Sequence, residues 1–134
     1  MNAPPPKSIA LHKRQRTLDL TYADGQQFSL PAEYLRVHSP SAEVQGHGTP
    51  VLVGGKRQVG IKAVQPVGRY AVRLVFDDGH DTGLYSWDVL WELATRHQAY
   101  WDDYLQRLQA TGMSRDSELV KLAALPRKYK PATP

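Results

Sequence analysis

The sequence predicts one small α+β domain in which antiparallel β-hairpins pack against C-terminal helices. Three observations lead to this fold class. A chain of 134 residues suits a single domain. Its first two-thirds contain short runs in which apolar and polar residues alternate, which is the period of half-buried strands. From residue 86 to 110, apolar residues instead recur at the three- and four-residue spacing of a helix.

The first predicted unit begins with a β-hairpin. Alternation of apolar and polar residues predicts strands at 9–11 and 18–22. The pair Asp24-Gly25 is typical of a two-residue type I′ turn, which needs positive φ at both central positions. A short return strand is therefore expected at 28–30.

A short helix and a long loop follow this hairpin. Pro31 fits the first turn of a helix, because its missing N–H would have no partner there, and we predict a helical piece over 32–37. Residues 38–55 are rich in Ser, Pro and Gly and show no sustained period. This stretch is predicted to be a long loop of the kind that often carries function.

The second predicted unit repeats this plan. Strands are expected at 58–64 and 70–76, connected by 66–69, and Asp78-Gly79 marks a second tight turn before a return strand at 80–84. The two units share a pattern at an offset of 54 residues: Leu18, Leu20 and Tyr22 precede Asp24-Gly25 as Val72, Leu74 and Phe76 precede Asp78-Gly79. This internal echo predicts two similar hairpin–helix units within one domain.

The helical region is bounded by recognisable signals. Ser86 is a suitable N-cap and Gly112 a suitable C-terminal stop. Polar residues at 95–98 interrupt the apolar stripe without a proline, so the pattern leaves open whether 86–110 is one helix or two. The domain is predicted to span 8–112, between a disordered N-terminus at 1–7 and a basic, partly disordered tail at 113–134.

Composition excludes several classes of protein. The chain has no cysteine, which excludes disulfides, thiol catalysis and cysteine-based metal sites. No stretch approaches the roughly 20 apolar residues of a membrane span, and the N-terminus lacks the apolar region of a secretory signal. We therefore expect a cytoplasmic protein that does not associate with membranes.

The net charge of +4 is unevenly distributed. Residues 1–16 hold four basic and no acidic residues, and 113–134 hold five basic and two acidic ones. The region between them has eight basic and eleven acidic residues. A folded nucleic-acid reader concentrates its basic residues on the body that docks. Binding of nucleic acid is therefore not expected, except as a weak contact through the basic ends.

His80 is the most informative candidate site residue, because it directly follows the Asp78-Gly79 turn. A histidine near Asp78 and Asp81 can bind a metal or shuttle protons. No second ligand lies at helical or strand spacing from it, so the pattern favours a histidine that orders the turn. The neighbouring aspartates, Asp77 included, are interpreted as turn-forming residues.

An enzymatic alternative stays open. His38 and His47 flank a loop with Ser39, Ser41 and Glu43, which supplies the residue types of a serine–histidine–acid set, although no Gly-x-Ser-x-Gly elbow is present. A small metal-dependent or hydrolytic enzyme would use His38, His47, His80 and Asp81. Among the aromatic residues of the helical region, Tyr85 and Tyr100 are expected to be the exposed ones.

The order of these motifs resembles a known domain. Asp24-Gly25 after a strand, Tyr34-Leu35-Arg36 at a helix end, and Phe76-x-Asp78-Gly79-His80 leading to Tyr85-x-Trp87 are similar to the N-terminal domain of gamma-butyrobetaine and trimethyllysine hydroxylases. The chain looks still more like free-standing small bacterial proteins grouped with that domain as a family of unknown function. The resemblance covers about residues 8–110.

The resemblance implies a zinc site that this chain has lost. In the hydroxylases, three cysteines and the histidine of the Gly-His turn bind zinc; the matching positions here are Ser39, Ser41, Val44 and His80. Serine hydroxyls are poor zinc ligands, so we expect no metal or other cofactor unless His38 or His47 substitutes. The likeness is to a non-catalytic domain, which argues against dioxygenase activity.

The expected function is that of a non-catalytic accessory or protein-interaction domain. The partner is expected to be a protein that contacts the 38–55 loop and the 77–87 turn. The residues assigned to this surface are His38, His47, Asp78, His80, Asp81 and Tyr85.

Overall fold

A computed structural model describes residues 3–45 and 51–116, without the side chains of Glu43 and Gln45. The predicted α+β fold is confirmed. The elements in chain order are β1 (Ser8–His12), β2 (Thr17–Thr21), β3 (Gln27–Pro31), α1 (Ala32–Val37), α2 (Ala42–Gln45), β4 (Ile61–Val67), β5 (Ala71–Phe76), β6 (Gly83–Ser86), α3 (Trp87–Thr95) and α4 (His97–Thr111).

The strands form two antiparallel sheets that share one plan. The strand orders are β1-β2-β3 and β4-β5-β6, and the third strand of each sheet leads directly into a helix, α1 or α3. The repeated sequence pattern lies on the two middle strands, with Tyr22 directly after β2, and its apolar residues are buried: Leu18, Leu20 and Tyr22, and Val72, Leu74 and Phe76. The internal echo thus corresponds to two strand–strand–strand–helix units that share one core.

The prediction of a type I′ turn at Asp24-Gly25 is wrong. Only Gly25 of this pair has positive φ, at 90°. The hairpin is closed by the Tyr22 N–H donating to the Gln26 carbonyl at 2.9 Å, which leaves a three-residue loop. Such loops place one left-handed residue at their end, whereas a type I′ turn needs two. Gly79, with φ 92°, occupies the same position in the second unit.

Two strand boundaries differ from the predicted ones. Strand β4 starts at Ile61, three residues later than predicted. It continues to Val67, because Pro66 pairs with Val72, so the first half of the predicted connection at 66–69 belongs to the sheet. Proline is tolerated there because β4 is an edge strand. A register irregularity between Ile61 and Ala63 shifts the alternation of inward- and outward-facing side chains along β4. Strand β6 begins only at Gly83, where its ladder with Leu74 starts, so His80 lies in the loop before it.

The helical region consists of two helices, which answers the question that the sequence left open. Ser86 is the N-cap of α3 as predicted, and its Oγ accepts a hydrogen bond from the Val89 N–H at 3.2 Å. Arg96 separates α3 from α4, and Gly112, with φ 72°, ends α4 as predicted. Pro31 is the N-cap of α1 rather than a residue of its first turn.

Two buried tyrosines connect the two units. The Tyr34 hydroxyl of α1 donates to the Leu93 carbonyl of α3 at 2.7 Å. The Tyr85 hydroxyl of β6 donates to the Leu35 carbonyl of α1 at 2.5 Å. Burial raises the pKa of both phenols. The expectation of an exposed Tyr85 is wrong, because the alternation of β6 directs this side chain into the core.

The ends of the described chain also pack against the domain. The Gly55 and Arg57 N–H groups donate to the Ser114 and Arg115 carbonyls at 2.9 and 3.0 Å, so the packed body extends beyond residue 112. At the other end, the Lys7 N–H donates to the Thr21 carbonyl. Most of the predicted basic tail, from 117 to 134, lies outside the described residues. Within the described parts of the chain, none of the helices has the length and apolar character needed to cross a membrane.

Candidate functional site

A polar cluster, buried except for Thr82, joins the loop after α1 to the loop before β6. Ser39 Oγ lies 2.9 Å from His80 Nε2, and the Ser41 N–H donates to Ser39 Oγ at 3.2 Å. Ser41 Oγ lies 2.7 Å from Thr82 Oγ1. Ser39 is 0% exposed and His80 4% exposed. We call these four residues the Ser39–His80 cluster; they connect segments that are 41 residues apart in sequence.

The position of His80 follows from the turn that precedes it. After Gly79, the His80 N–H donates to Asp78 Oδ1 at 3.0 Å, and the imidazole packs against the Phe76 ring with 6.0 Å between ring centroids. The predicted role of His80 in ordering the turn agrees with these contacts. Val44, the remaining position matched to the family zinc site, is buried as well.

Gly83 provides the space that the cluster needs. A Cβ atom at this position would lie 2.6 Å from Ser39 Oγ and 3.0 Å from a ring carbon of Tyr85. Both neighbours are fully buried, so neither can move away without disturbing the core.

Gly83→Ala is therefore expected to lower the free energy of unfolding by about 2 kcal/mol, the cost of overpacking a closed site. Urea unfolding measures this loss. The matched control is Gly25→Asn, since Gly25 has open space around it and asparagine tolerates positive φ. Equal stability of the two variants would show that Ser39 does not pack on residue 83.

Asp78 forms an ionic network next to the cluster. Its Oδ2 accepts from Arg36 Nε at 2.8 Å and from Lys56 Nζ at 2.9 Å. Burial alone would raise the pKa of this carboxyl, but the hydrogen bonds from Lys56, the His80 N–H and Arg36 together hold it below its usual value of 3.8. Asp78, which was assigned to an interaction surface from the sequence, is an exposed residue whose carboxylate links α1 to the 51–57 segment.

Asp78→Asn is expected to destabilise the fold by about 2 kcal/mol, because two partly buried cations lose their carboxylate. Because the pKa of Asp78 is lower in the folded protein than in the unfolded chain, its ionisation stabilises the fold. This contribution is complete above pH 3.8 and is lost as the pH falls through the pKa of the folded state. The variant should therefore differ from the parent at neutral pH and converge with it in strong acid. Asp81→Asn is the control, since Asp81 is exposed; equal losses in both variants would contradict the network.

The cluster contains the residue types of a catalytic nucleophile and base, but these side chains are not accessible to a substrate. A serine hydroxyl 2.9 Å from a histidine nitrogen matches the spacing of an activated nucleophile. However, the Ser39 hydroxyl is fully buried and also accepts a backbone N–H, so a substrate carbonyl has no path to it. These contacts favour a structural use of the pair.

The residues present do not fit the zinc ion that the family resemblance implies. Thiolate, imidazole and carboxylate groups bind zinc, and the three matched cysteine positions hold two hydroxyls and an isopropyl group. Within residues 3–45 and 51–116, no group of three or more His, Asp or Glu side chains is placed to hold a metal. His47, the alternative ligand, lies outside the described residues.

His38 lies in a cleft on the other side of the same loop. The cleft has a volume of about 500 Å³ and lies between residues 37–44 and 51–52 on one side and the α3–α4 pair on the other. Its apolar wall is formed by Val37, Pro40, Val44, Val51, Leu52, Val89 and Leu93, and its polar groups belong to His38, Glu92, Tyr100, Asp103, Tyr104 and Arg107. We call this feature the His38 cleft.

The structure thus separates the residues that the sequence placed on one surface. Among the described members of that set, His38 lines the cleft, His80 and Tyr85 are buried, and Asp78 and Asp81 are exposed; His47 lies outside the described residues. Tyr100, predicted to be exposed, is half-buried in the cleft wall. The sequence missed Val89 and Leu93, although their i, i+4 spacing on α3 offered a signal.

The fold is a small α+β domain built from two strand–helix units around one core. Its second tight turn is followed by a buried histidine, His80. The family model described as gamma-butyrobetaine hydroxylase-like, N-terminal, matches residues 9–91. The chain belongs to this family, and the resemblance found in its motifs is confirmed.

Solved structures include close relatives. Two proteins determined by NMR in solution share 56% and 50% sequence identity with this chain. The first match covers 91% of this chain and 98% of the relative, with a TM-score of 0.76; the second covers 96% and 95%, with a TM-score of 0.75. A comparison with curated proteins found no match.

A third relative is a protein of unknown function of the DUF971 family from Acidithiobacillus ferrooxidans ATCC 23270, solved by crystallography. It is 38% identical over 66% of this chain and 91% of its own length, with a TM-score of 0.58. The relatives agree on the fold and leave the activity open.

Proposed function

We propose that this chain is a cytoplasmic, non-catalytic accessory domain that binds a protein partner through the His38 cleft. The observation that carries this proposal is the cleft itself: about 500 Å³, with a mostly apolar wall and a few convergent polar groups. This combination is typical of binding sites. Val51 at its edge is 50% exposed, so apolar surface is available to a partner.

The surrounding contacts support a preformed site. The Ser39–His80 cluster fixes the start of the loop, and Asp78 holds Lys56 near its end. Between them, the Tyr104 hydroxyl donates to the Val53 carbonyl at 2.6 Å. Residues held by these contacts need little further ordering when a partner binds, which favours binding.

The same contacts favour a non-catalytic role over the enzymatic alternative. His80 and Ser39 are buried, Asp78 is paired with two cations, and His38 lies in a separate cleft. The weak nucleic-acid alternative concerns the basic ends, and most of the C-terminal one lies outside the described residues, so it stays a prediction.

Site-specific photocrosslinking in the native cell tests the proposal. A photoreactive amino acid at position 51, at the edge of the cleft, is expected to capture a partner protein. The matched control is position 70, because Tyr70 is 60% exposed and is not among the residues that line the cleft. Capture at 51 should disappear when Val89→Asp places a charge in the cleft wall.

Val89→Asp is a suitable disrupting variant, since an acidic residue in the first turn of α3 is favoured by the helix dipole. Circular dichroism should therefore show a folded protein. Crosslinks at position 70 alone, or crosslinks at 51 that Val89→Asp leaves unchanged, would contradict binding through the cleft.

A further inference from the structure

We infer that the His38 cleft recognises a tryptophan side chain of the partner, and that Nε2 of His38 accepts the hydrogen bond of its indole N–H. This inference rests on the proposed function and specifies the ligand chemistry of the same site. Three features of the cleft carry it: the tautomer of His38, the fixed orientation of its ring, and the pairing of the charges around it.

The tautomer follows from the partner of the other ring nitrogen. Nδ1 of His38 lies 2.9 Å from the Tyr34 carbonyl oxygen. A carbonyl can only accept, so Nδ1 carries the hydrogen, and in the neutral ring Nε2 is left as an acceptor. Burial keeps the ring neutral by lowering the pKa of His38 below 6.5, an effect that the Tyr34 hydrogen bond partly opposes.

The ring is held in one orientation by aromatic neighbours. Tyr100 stacks on it with 5.9 Å between centroids and an angle of 21° between the planes. Tyr34 and Tyr104 lie 4.7 and 6.0 Å away. Within the described parts of the chain, the hydrogen bond of His38 is made through Nδ1, so Nε2 is available to a ligand in the cleft that this residue lines.

Two of the charged groups around His38 form an ion pair, and a third accepts a tyrosine hydroxyl. Arg107 Nε lies 3.0 Å from Asp103 Oδ2, and Glu92 interacts with the Tyr100 hydroxyl. The titratable groups that face the ring from α1, α3 and α4 are Tyr34, Glu92, His97, Tyr100, Asp103, Tyr104 and Arg107. The cleft therefore offers an apolar wall, the neutral Nε2 acceptor of His38, and a Glu92 carboxylate that already accepts the Tyr100 hydroxyl.

A ligand that complements this site is apolar, flat and neutral, and carries one donor. Tryptophan fits this description, because its indole N–H donates and does not accept. It also has a large apolar area and is frequent among the residues that dominate protein interfaces. Its ring can stack on Tyr100 or Tyr104 at the offset geometries that aromatic pairs prefer.

Two matched probes test the inference on the full chain. N-acetyl-tryptophanamide and its 1-methylindole analogue differ in the single N–H group. In NMR titrations, the first probe is expected to shift the methyl signals of Val44, Leu52 and Val89 and to bind about tenfold more tightly than the second, as expected for one hydrogen bond. Equal affinity of the two probes, or shifts confined to other methyl groups, would overturn the inference.

Two variants assign the effect to His38. His38→Phe keeps a stacking ring but removes the acceptor, so the preference for the N–H probe should vanish. His97→Phe is the matched control, because His97 packs against the Tyr34 ring and is not among the residues that line the cleft; the preference should persist. For the parent chain, the preference should be constant above pH 6.5 and decline below it, as His38 becomes protonated.

The two proposals can fail separately. If the probes bind equally while the crosslink at position 51 still depends on Val89, the result supports the interaction site and contradicts the tryptophan assignment. If the probe with the indole N–H binds more tightly and this preference depends on His38, but no protein is captured at position 51, the result supports the ligand chemistry and contradicts the protein-interaction function.

Discussion

Replacement of His80 by alanine is expected to lower the free energy of unfolding by about 3 kcal/mol, more than any other single change in the Ser39–His80 cluster. The variant leaves a cavity beside Phe76 and removes the hydrogen bond to the buried Ser39 hydroxyl. Cavity formation and a lost buried hydrogen bond each contribute on this scale. Chemical denaturation at neutral pH measures the loss.

The control for this variant is His12→Ala. His12 is an exposed histidine that pairs with Asp19 at 3.0 Å on the surface of the first sheet, and its loss should cost less than about 0.5 kcal/mol. Hydrogen exchange should also accelerate in the loop after α1 when His80 is replaced. A stable His80→Ala protein with an unchanged exchange pattern would show that the cluster does not hold this loop.

Replacement of Arg115 by alanine is expected to destabilise the domain by a similar amount, about 3 kcal/mol. The Arg115 guanidinium donates to both carboxylate oxygens of Glu33 at 2.7 and 2.6 Å and lies 5.1 Å from the Trp101 ring centroid. Arg115 is 28% exposed but Glu33 only 6%, so the variant leaves a buried carboxylate without its partner. Breaking such a pair from one side costs several kcal/mol.

Two further variants separate this effect from a general loss of charge. Arg107→Ala removes a surface i, i+4 ion pair whose arginine is 59% exposed, and should cost about 0.3 kcal/mol. Adding Glu33→Gln to Arg115→Ala should restore part of the lost stability, because the unpaired charge is gone. A loss for Arg115→Ala no larger than that for Arg107→Ala would contradict the buried pair.

Local signals predicted much of the fold. The alternation at Leu18, Leu20 and Tyr22 and its echo 54 residues later identify the two middle strands, because a half-buried strand imposes a period of two on its own sequence. Ser86 and Gly112 were recognised as helix ends for the same reason: capping depends on a few adjacent residues.

Features that depend on register or on distant partners were not predictable in this way. Tyr85 faces the core because β6 runs to Ser86, past the predicted end at residue 84, and its pairing with β5 places Tyr85 opposite Val72. The pairing of Arg115 with Glu33 joins residues 82 positions apart, and nothing in either local sequence indicates the other.

In the candidate site, too, local features could be predicted from the sequence and long-range contacts could not. His38 was singled out from the sequence, and its bond to the Tyr34 carbonyl is a local contact within four residues. The cleft around it was not predicted, because its wall forms only where α3 and α4 pack against the loop. His80 and Ser39 were matched through the family resemblance, but only the structure shows that they bond to each other.

The claim that hydrogen bonds, rather than a metal, hold the Ser39–His80 cluster together is tested most directly by zinc analysis combined with thermal unfolding. The purified full-length chain is expected to contain far less than one zinc per chain, and its unfolding midpoint should be the same with a chelator, with added zinc and with neither. One zinc per chain, whose removal lowers the midpoint by several degrees, would contradict the claim.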